Sequence, residues 1–223
     1  MSIKIDFLGH ATFMLTSGEH RVLIDPFLTG NPKASTTADQ LDPTAICITH
    51  GHADHMADAA SIAKRTGATV YSAFEICEYL GEQGIENLEP GNPGGSIAAP
   101  FGHVSFTPAV HSSSFEGRYM GMPMGVVVEL IGKRIYHLGD TGLFGDLKLI
   151  GDLHQPHAAI IPVGDRFTMG PAHAKVAAEM IGAPVAIPCH YGTWPLLVSD
   201  ISAFTPDGIE VEALQPGASL TLE

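Results

Sequence analysis

The chain has few cysteines, little positive charge and no long apolar run. Cys47, Cys77 and Cys189 are odd in number and widely spaced. That argues against a disulfide framework and fits a reducing cytoplasm. Lysine and arginine total 11 against 24 aspartate and glutamate, a formal net charge of −13. A field of that sign repels nucleic acid and anionic membranes unless a local patch or bound divalent metals reverse it. No apolar stretch approaches the ~20 residues that cross a bilayer. The start, Met1-Ser2-Ile3-Lys4-Ile5-Asp6, lacks the basic and then apolar plan of a signal peptide. Short repeats, low-complexity tracts and linkers are also missing. These absences predict one soluble, cytoplasmic domain over residues 1–223, acting on a small molecule, with homo-oligomerisation left open.

Twelve histidines stand out against that background, and histidine is the commonest metal ligand. The surrounding pattern mixes strands and helices. Ile3 to Leu8 alternates apolar and polar residues, and Val22-Leu23-Ile24 is short and apolar; both read as strands. Ala45 to Thr49 reads as a buried strand feeding a loop. A helix is expected from Met56 to Arg65, and Ser72-Ala73-Phe74-Glu75 reads as a capping box opening another. Val104 to Val110 alternates again, and the runs Gly125 to Leu130 and Arg134 to Leu138 form a hairpin split at Gly132-Lys133. Ala158 to Val163 and Val185 to Pro188 are buried strands, separated by a helix from Pro171 to Ile181 with Gly182 at its end. Such an order suggests sheets covered by helices, an α/β fold.

His50-Gly51-His52-Ala53-Asp54-His55 follows a predicted strand. Three imidazoles and a carboxylate supply the nitrogen and oxygen ligands that suit zinc. Two residues apart on extended chain, His50 and His52 project to one side. Asp54 and His55, being adjacent, diverge and can serve a neighbouring ion. Gly51 and Ala53 are small enough to let the loop fold tightly around metal. A merely exposed polar loop is the plainer reading of any single histidine here. It is a poor reading of the whole run together with His111, Asp140, His190 and Asp25, all placed where predicted strands give way to loops.

The sequence resembles the metallo-β-lactamase superfamily, whose His-x-His-x-Asp-His signature is met by residues 50 to 55. More narrowly it is similar to bacterial metal-dependent hydrolases of the L-ascorbate-6-phosphate lactonase kind. That likeness runs through Gly9-His10-Ala11, Leu23-Ile24-Asp25-Pro26-Phe27, Ile48-Thr49-His50-Gly51-His52, Leu138-Gly139-Asp140-Thr141-Gly142, Phe167-Thr168-Met169-Gly170-Pro171 and His190-Tyr191. The resemblance implies a four-layer αββα sandwich with metals at one edge. It implies two divalent ions, zinc first and manganese, nickel or iron as alternatives. It assigns His50, His52 and His111 to the first ion, Asp54, His55 and His190 to the second, and Asp140 as the bridge. It also implies a hydroxide held between the ions as nucleophile, with Asp54 and Asp140 the catalytic carboxylates. Histidine rather than glutamate at position 52 fits hydrolytic zinc better than the related iron flavoproteins.

Other residues are candidates of a second kind. Asp25 is expected to orient a ligand histidine, the alternative being a turn-forming aspartate before Pro26. The family pattern puts His10 near the pocket, as a substrate contact or an orienting group. His173 shares a helical face with Val176, Ala177, Met180 and Ile181 and reads first as a histidine at the core edge; its entry loop gives it a claim on the metal surroundings. The resembled family carries an acidic residue there, so His173 is a departure. Arg118 and Arg166 are candidate phosphate clamps. Met120-Gly121-Met122-Pro123-Met124 is a candidate apolar lid or subunit contact, an ordinary approach to the hairpin being the plainer reading. Cys189 should be a buried inert thiol, and His103, His137, His154 and His157 structural or exposed. The activity expected is hydrolysis of a small ester-like bond such as a lactone. Alternatives are a phosphodiesterase acting on a nucleotide or phospholipid and a non-catalytic metal-binding sensor.

Overall fold

The computed structural model of the chain describes residues 2–223. Its architecture follows from which strands are wet on one face and which are dry on both. β1 (Ile3–Gly9) buries Ile3, Ile5 and Phe7 while Lys4 stays exposed and Asp6 half-buried, the alternation of a sheet with one covered face. It pairs antiparallel with β2 (Thr12–Ser17), which pairs with β3 (His20–Ile24). β4 (Ala45–Cys47), β5 (Thr69–Ala73) and β6 (Leu88–Gly91) then add in parallel. The last strand of the chain, Ser219–Leu222, closes the far side against β1, giving a seven-stranded sheet.

A second seven-stranded sheet holds β7 (Ser96–Ala99), β8 (Gly102–Pro108), β11 (Met124–Leu130), β12 (Lys133–His137), β13 (Ala158–Pro162), β14 (Val185–Cys189) and β15 (Glu210–Val211). Between β8 and β11 projects a small hairpin of β9 (Ser114–Phe115) and β10 (Arg118–Tyr119). β11, β13 and β14 are buried on both faces, which is why they read as unbroken apolar runs. Val126, Val128, Ile160 and Ile187 point into a core shared with the first sheet. Their neighbours Val127, Ala159, Ile161 and Ala186 point into a second core with α4 (Leu147–His154) and α5 (Pro171–Ile181). On the outside of the first sheet lie α2 (Ala59–Thr66) and α3 (Phe74–Glu82), which bury Ile62, Ile76 and Leu80. The result is the expected αββα sandwich. Each fully buried valine or isoleucine in it contributes about 1.5–3 kcal/mol.

Three local expectations need correction. The helix expected from Met56 is two pieces: α1 (Ala53–Met56) starts inside the histidine motif, and α2 follows a break at Asp58. The break has a cause, since the Asp58 carboxylate accepts bonds from the Leu28 and Thr29 N–H groups and the Thr29 hydroxyl. The capping box before α3 does not form: the Ser72 hydroxyl donates to the Ile48 carbonyl instead. The hairpin turn sits at Ile131-Gly132, one residue earlier than expected, with Ile131 in the left-handed region at φ 48°. α4 escaped the sequence reading because its apolar stripe is diluted; Leu149 and Leu153 face solvent.

The strands deliver their carboxyl ends to one edge. His10 follows β1, Asp25 follows β3, His50 follows β4, His111 follows β8, Asp140 follows β12 and His190 follows β14. Among the described residues no helix is long and apolar enough to cross a membrane.

Candidate metal centre

The loops at that edge leave their strands abruptly. His10, Asp25 and His190 all hold left-handed backbone, at φ 60°, 48° and 56°. Non-glycine residues adopt it only where the surroundings enforce it. One enforcing contact is a bond from the His190 N–H to the His10 carbonyl at 2.8 Å, which ties the two sheets together beside the site. Gly51 is small for a reason other than the one its motif suggests: a Cβ there would run into Met120.

Three groups of ligand atoms result. His50, His52 and His111 form the first and His10, Asp54, His55 and His190 the second; Asp25, His50 and His55 form a third that shares a histidine with each, the atoms in every group lying within 4.8 Å of one another. The outer hydrogen bonds set what the inner atoms offer. Thr49 donates its hydroxyl to Asp25 Oδ2 at 2.7 Å, so its oxygen is free to accept from His50 Nδ1 at 3.0 Å. That assignment leaves the His50 Nε2 lone pair facing His52 Nδ1 at 3.0 Å. His52 Nε2 lies 3.3 Å from the Ser112 hydroxyl, which can donate or accept, so His52 Nδ1 is either a donor to His50 Nε2 or a second lone pair facing it. In the second tautomer the two imidazole lone pairs repel each other, and a cation between them would relieve it. Burial, with the neighbouring His55 and the other imidazoles, holds His50 well below the usual histidine range, and burial does the same to a lesser degree for His52 and His111. All three are therefore neutral ligands in waiting.

The second group is charged. His55 Nδ1 donates to Asp25 Oδ2 at 2.8 Å, which turns Nε2 inward. His55 Nε2 is 3.4 Å and His190 Nε2 is 3.0 Å from Asp140 Oδ2. Burial opposes protonation of both rings, yet the surrounding carboxylates, Asp140 first, override it. His55 is raised well above its ordinary value and His190 to about 9. Burial likewise disfavours charge on Asp54 and Asp140, but the adjacent imidazoles hold both carboxyls well below their usual range. Asp140 Oδ2 also lies 3.5 Å from His111 Nε2, so a single oxygen stands between the first two groups.

His10 belongs to the second group by distance but faces it differently. Its Nδ1 meets the Thr193 hydroxyl at 2.8 Å and its Nε2 meets Asp54 Oδ2 at 3.1 Å. Burial, with the nearby His190, pushes His10 down to about 4, so it is a neutral ring with Nε2–H donating to Asp54. Asp25 is wholly buried and spends both oxygens on Thr49 and His55. Both residues thereby fix the side chains they touch, His10 that of Asp54 and Asp25 those of Thr49 and His55. Among the described residues, Asp140 Oδ1 and His190 Nδ1 are buried without a hydrogen-bond partner, and the Nε2 atoms of His55 and His190 meet carboxylates as ion pairs without a well-formed hydrogen bond. Buried polar atoms are normally paired, and this convergent nitrogen and carboxylate set fits a divalent metal of the zinc kind.

Several candidates lie elsewhere. His173 is exposed on α5, whose buried face is Ala174, Ala177, Ala178 and Ile181. It is neither at the core edge nor beside the metals, because the helix is turned by about one residue from the orientation expected. Arg118 is committed to Glu82 by two hydrogen bonds. Arg166 is exposed, its guanidinium 5.5 Å from the Phe167 ring. Met120 and Met124 are core residues at 0% exposure, and of the three methionines Met122 alone faces solvent, beside His111 and Ser112. Cys189 is buried and free, as expected. Thr49, Thr193 and Trp194 were not foreseen. Trp194 packs 4.8 Å from the His10 ring; its position four residues after His190, in a loop, was the available signal.

Comparison with known proteins agrees with this geometry. A family profile described as "Beta-lactamase superfamily domain" matches residues 20–191. A UPF0173 metal-dependent hydrolase of Shouchella clausii is 44% identical over 99% of this chain and 97% of its own. Another, from Methanopyrus kandleri, is 46% identical over 97% of this chain and 99% of its own. The chain belongs to the UPF0173 metal-dependent hydrolases, within the metallo-β-lactamase superfamily. Igni18, a metallo hydrolase from Ignicoccus hospitalis, is similar in structure, with a TM-score of 0.91 and 33% identity over 100% of this chain and 99% of that one. Membership makes this a metal-dependent hydrolase by family, and its His and Asp groups are the candidate metal-binding residues.

Proposed function

We propose that this UPF0173 member binds two divalent ions, zinc first among them, and hydrolyses a small ester-like bond such as a lactone, acting on a small molecule in the cytoplasm. The observation that carries the reading is Asp140 Oδ2, which lies within 3.5 Å of imidazole nitrogens from the first and second ligand groups. His50, His52 and His111 would hold one ion, Asp54, His55 and His190 the other, and Asp140 both. Two ions so held supply a nucleophile from water near neutral pH and an electrophilic clamp for the substrate oxygen. The lactone preference follows the sequence likeness to L-ascorbate-6-phosphate lactonase.

The chain's own residues do the positioning. Asp25 fixes His55 directly and His50 through Thr49, as ligand histidines require of their outer partners. His10, backed by Thr193, donates to one oxygen of Asp54. That bond fixes the orientation of the carboxylate on the cavity wall, where Asp54 would hold a metal ion and orient an approaching water. The cavity there is about 290 Å³ and is walled by His52, Asp54, His111, Ser112, Asp140, Phe167 and His190.

One contact favours a second reading. Ser112 Oγ is 3.3 Å from His52 Nε2, the outline of a serine nucleophile with its base. That role needs Nε2 as acceptor, and so a proton on the Nδ1 that faces His50. The two readings divide in single-turnover hydrolysis in oxygen-18 water, using any lactone, thioester or phosphodiester that a screen of zinc-loaded protein finds accepted. Solvent label enters the product in the first turnover. Asp54→Asn costs more than about a hundredfold, beyond the usual loss of an orienting partner. Ser112→Ala costs under about tenfold, the size of one neutral hydrogen bond. A trapped acyl- or phosphoryl-serine would establish the serine reading instead.

A further inference from the structure

Beside the metal cavity lies a larger one, about 530 Å³, between the chain entering β9 and the chain leaving β10. Its walls include Ala109, Val110, Tyr119, Met122 and Pro123. His111 and Ser112 line both cavities, so the second adjoins the ligand groups across that shared wall. Val110, Tyr119 and Met122 are 57%, 62% and 51% exposed, and Phe167 on the wall of the metal cavity is 51% exposed. Large apolar side chains left open around a polar centre mark a ligand surface.

The charges are as informative. No lysine or arginine lines either cavity. Arg118, next to Tyr119 in sequence, is tied to Glu82. Arg166 is outside both linings, over the Phe167 ring. A phosphate remote from the reacting bond would find no cation in either cavity, on a chain of net charge −13.

We propose that this cleft receives an uncharged alkyl or aryl part of the substrate, making the substrate class neutral apolar esters or lactones and not phosphorylated ones. The proposal rests on the hydrolase reading for the bond that is cut. The cleft itself depends only on Val110, Tyr119, Met122 and their neighbours. Its occupant is the substrate's own apolar group because His111 and Ser112 border both the cleft and the reacting centre.

Two measurements test it separately. In metal-free protein labelled with methyl-13C methionine and titrated with 1-hexanol, the Met122 signal, assigned with Met122→Leu, should move. Those of Met120 and Met124, both at 0% exposure, should stay. A motionless Met122 overturns the proposal. In zinc-loaded protein, kcat/KM for p-nitrophenyl esters should rise from acetate to hexanoate by about three- to fourfold per methylene, the most that burying one methylene gives. Met122→Asp should flatten that rise while the zinc content stays that of the parent. A flat series in the parent, or a phosphorylated lactone preferred over its unphosphorylated form, overturns the proposal and leaves the hydrolase intact. A Met122 shift without hydrolysis of any ester or lactone would leave an apolar cleft but overturn both the assigned substrate class and the ester-cleaving reading. Sedimentation that shows a dimer, with the Met122 signal moving on dilution alone, overturns the proposal in favour of an interface between copies.

Discussion

The first and second ligand groups are built on different principles. His52 and His111 are half-buried on loops, and their group is all imidazole, each ring left neutral. The other group is anchored in the core. His55 and His190 are buried, charged by adjacent carboxylates, and fixed through Asp25, His10 and Thr193. The first group can accept a metal without losing protons. The second must exchange its protons for the metal, and in return offers a stiffer, more anionic cage. Metal affinity and fold stability are therefore coupled on one side of the site far more than on the other.

The sharpest way to break this contrast is to remove one histidine from each side. His55→Ala strips the second group and leaves the buried Asp25 carboxylate without its partner. The metal-free protein should lose about 3 kcal/mol, the usual result of halving a buried pair. His52→Ala should weaken metal binding while the metal-free protein keeps its parent melting temperature within a few degrees. Equal stability losses measured by denaturant unfolding would erase the distinction.

A milder change probes orientation alone. Asp25→Asn retains size but weakens the acceptor for His55 Nδ1–H and for Thr49. It should lower zinc affinity about 10- to 100-fold, in the range for orienting partners, with the loss concentrated in the second binding step of a competition titration. A loss confined to the first step would place Asp25 with the wrong group.

The smallest effect is one of pH. His190 in the metal-free protein is raised to about 9. Below that pH both His190 and His55, which is also raised well above its ordinary value, carry protons that the metal must displace, so second-step affinity should climb by more than about tenfold per pH unit toward 9. First-step affinity should be nearly flat from pH 7 to 9, because burial keeps His50, His52 and His111 below the usual histidine range. Calorimetry in buffers of differing ionisation enthalpy counts the protons released at each step. Equal release at both steps would contradict the charge difference.

The ligand residues were legible because strand ends are legible. Short apolar runs such as Ala45-Ile46-Cys47 and Val185 to Pro188 stop where a polar residue appears, and the structure sets His50, Asp140 and His190 just past those stops. Residues that act through packing were not legible in this way. His173 was misjudged because apolar spacing on a helix rich in alanine does not fix which face turns inward. Within the methionine run, alternation across a loop does not reveal that Met120 fills the space left by Gly51. Thr193 and Trp194 reach His10 from a distant loop, a contact between sequence positions that nothing local announces. Arg118 reads as a phosphate clamp in the sequence because its partner Glu82, at the end of α3, is 36 residues away.

The central claim is that Asp140 joins two metal sites into one centre. Its most direct test is a zinc titration of metal-free protein at pH 9, read by calorimetry and by elemental analysis after gel filtration, for the parent and for Asp140→Ala. The account predicts two zinc ions per parent chain and no more than one per variant chain. A single ion in the parent, with stoichiometry and affinity unchanged in the variant, would contradict it.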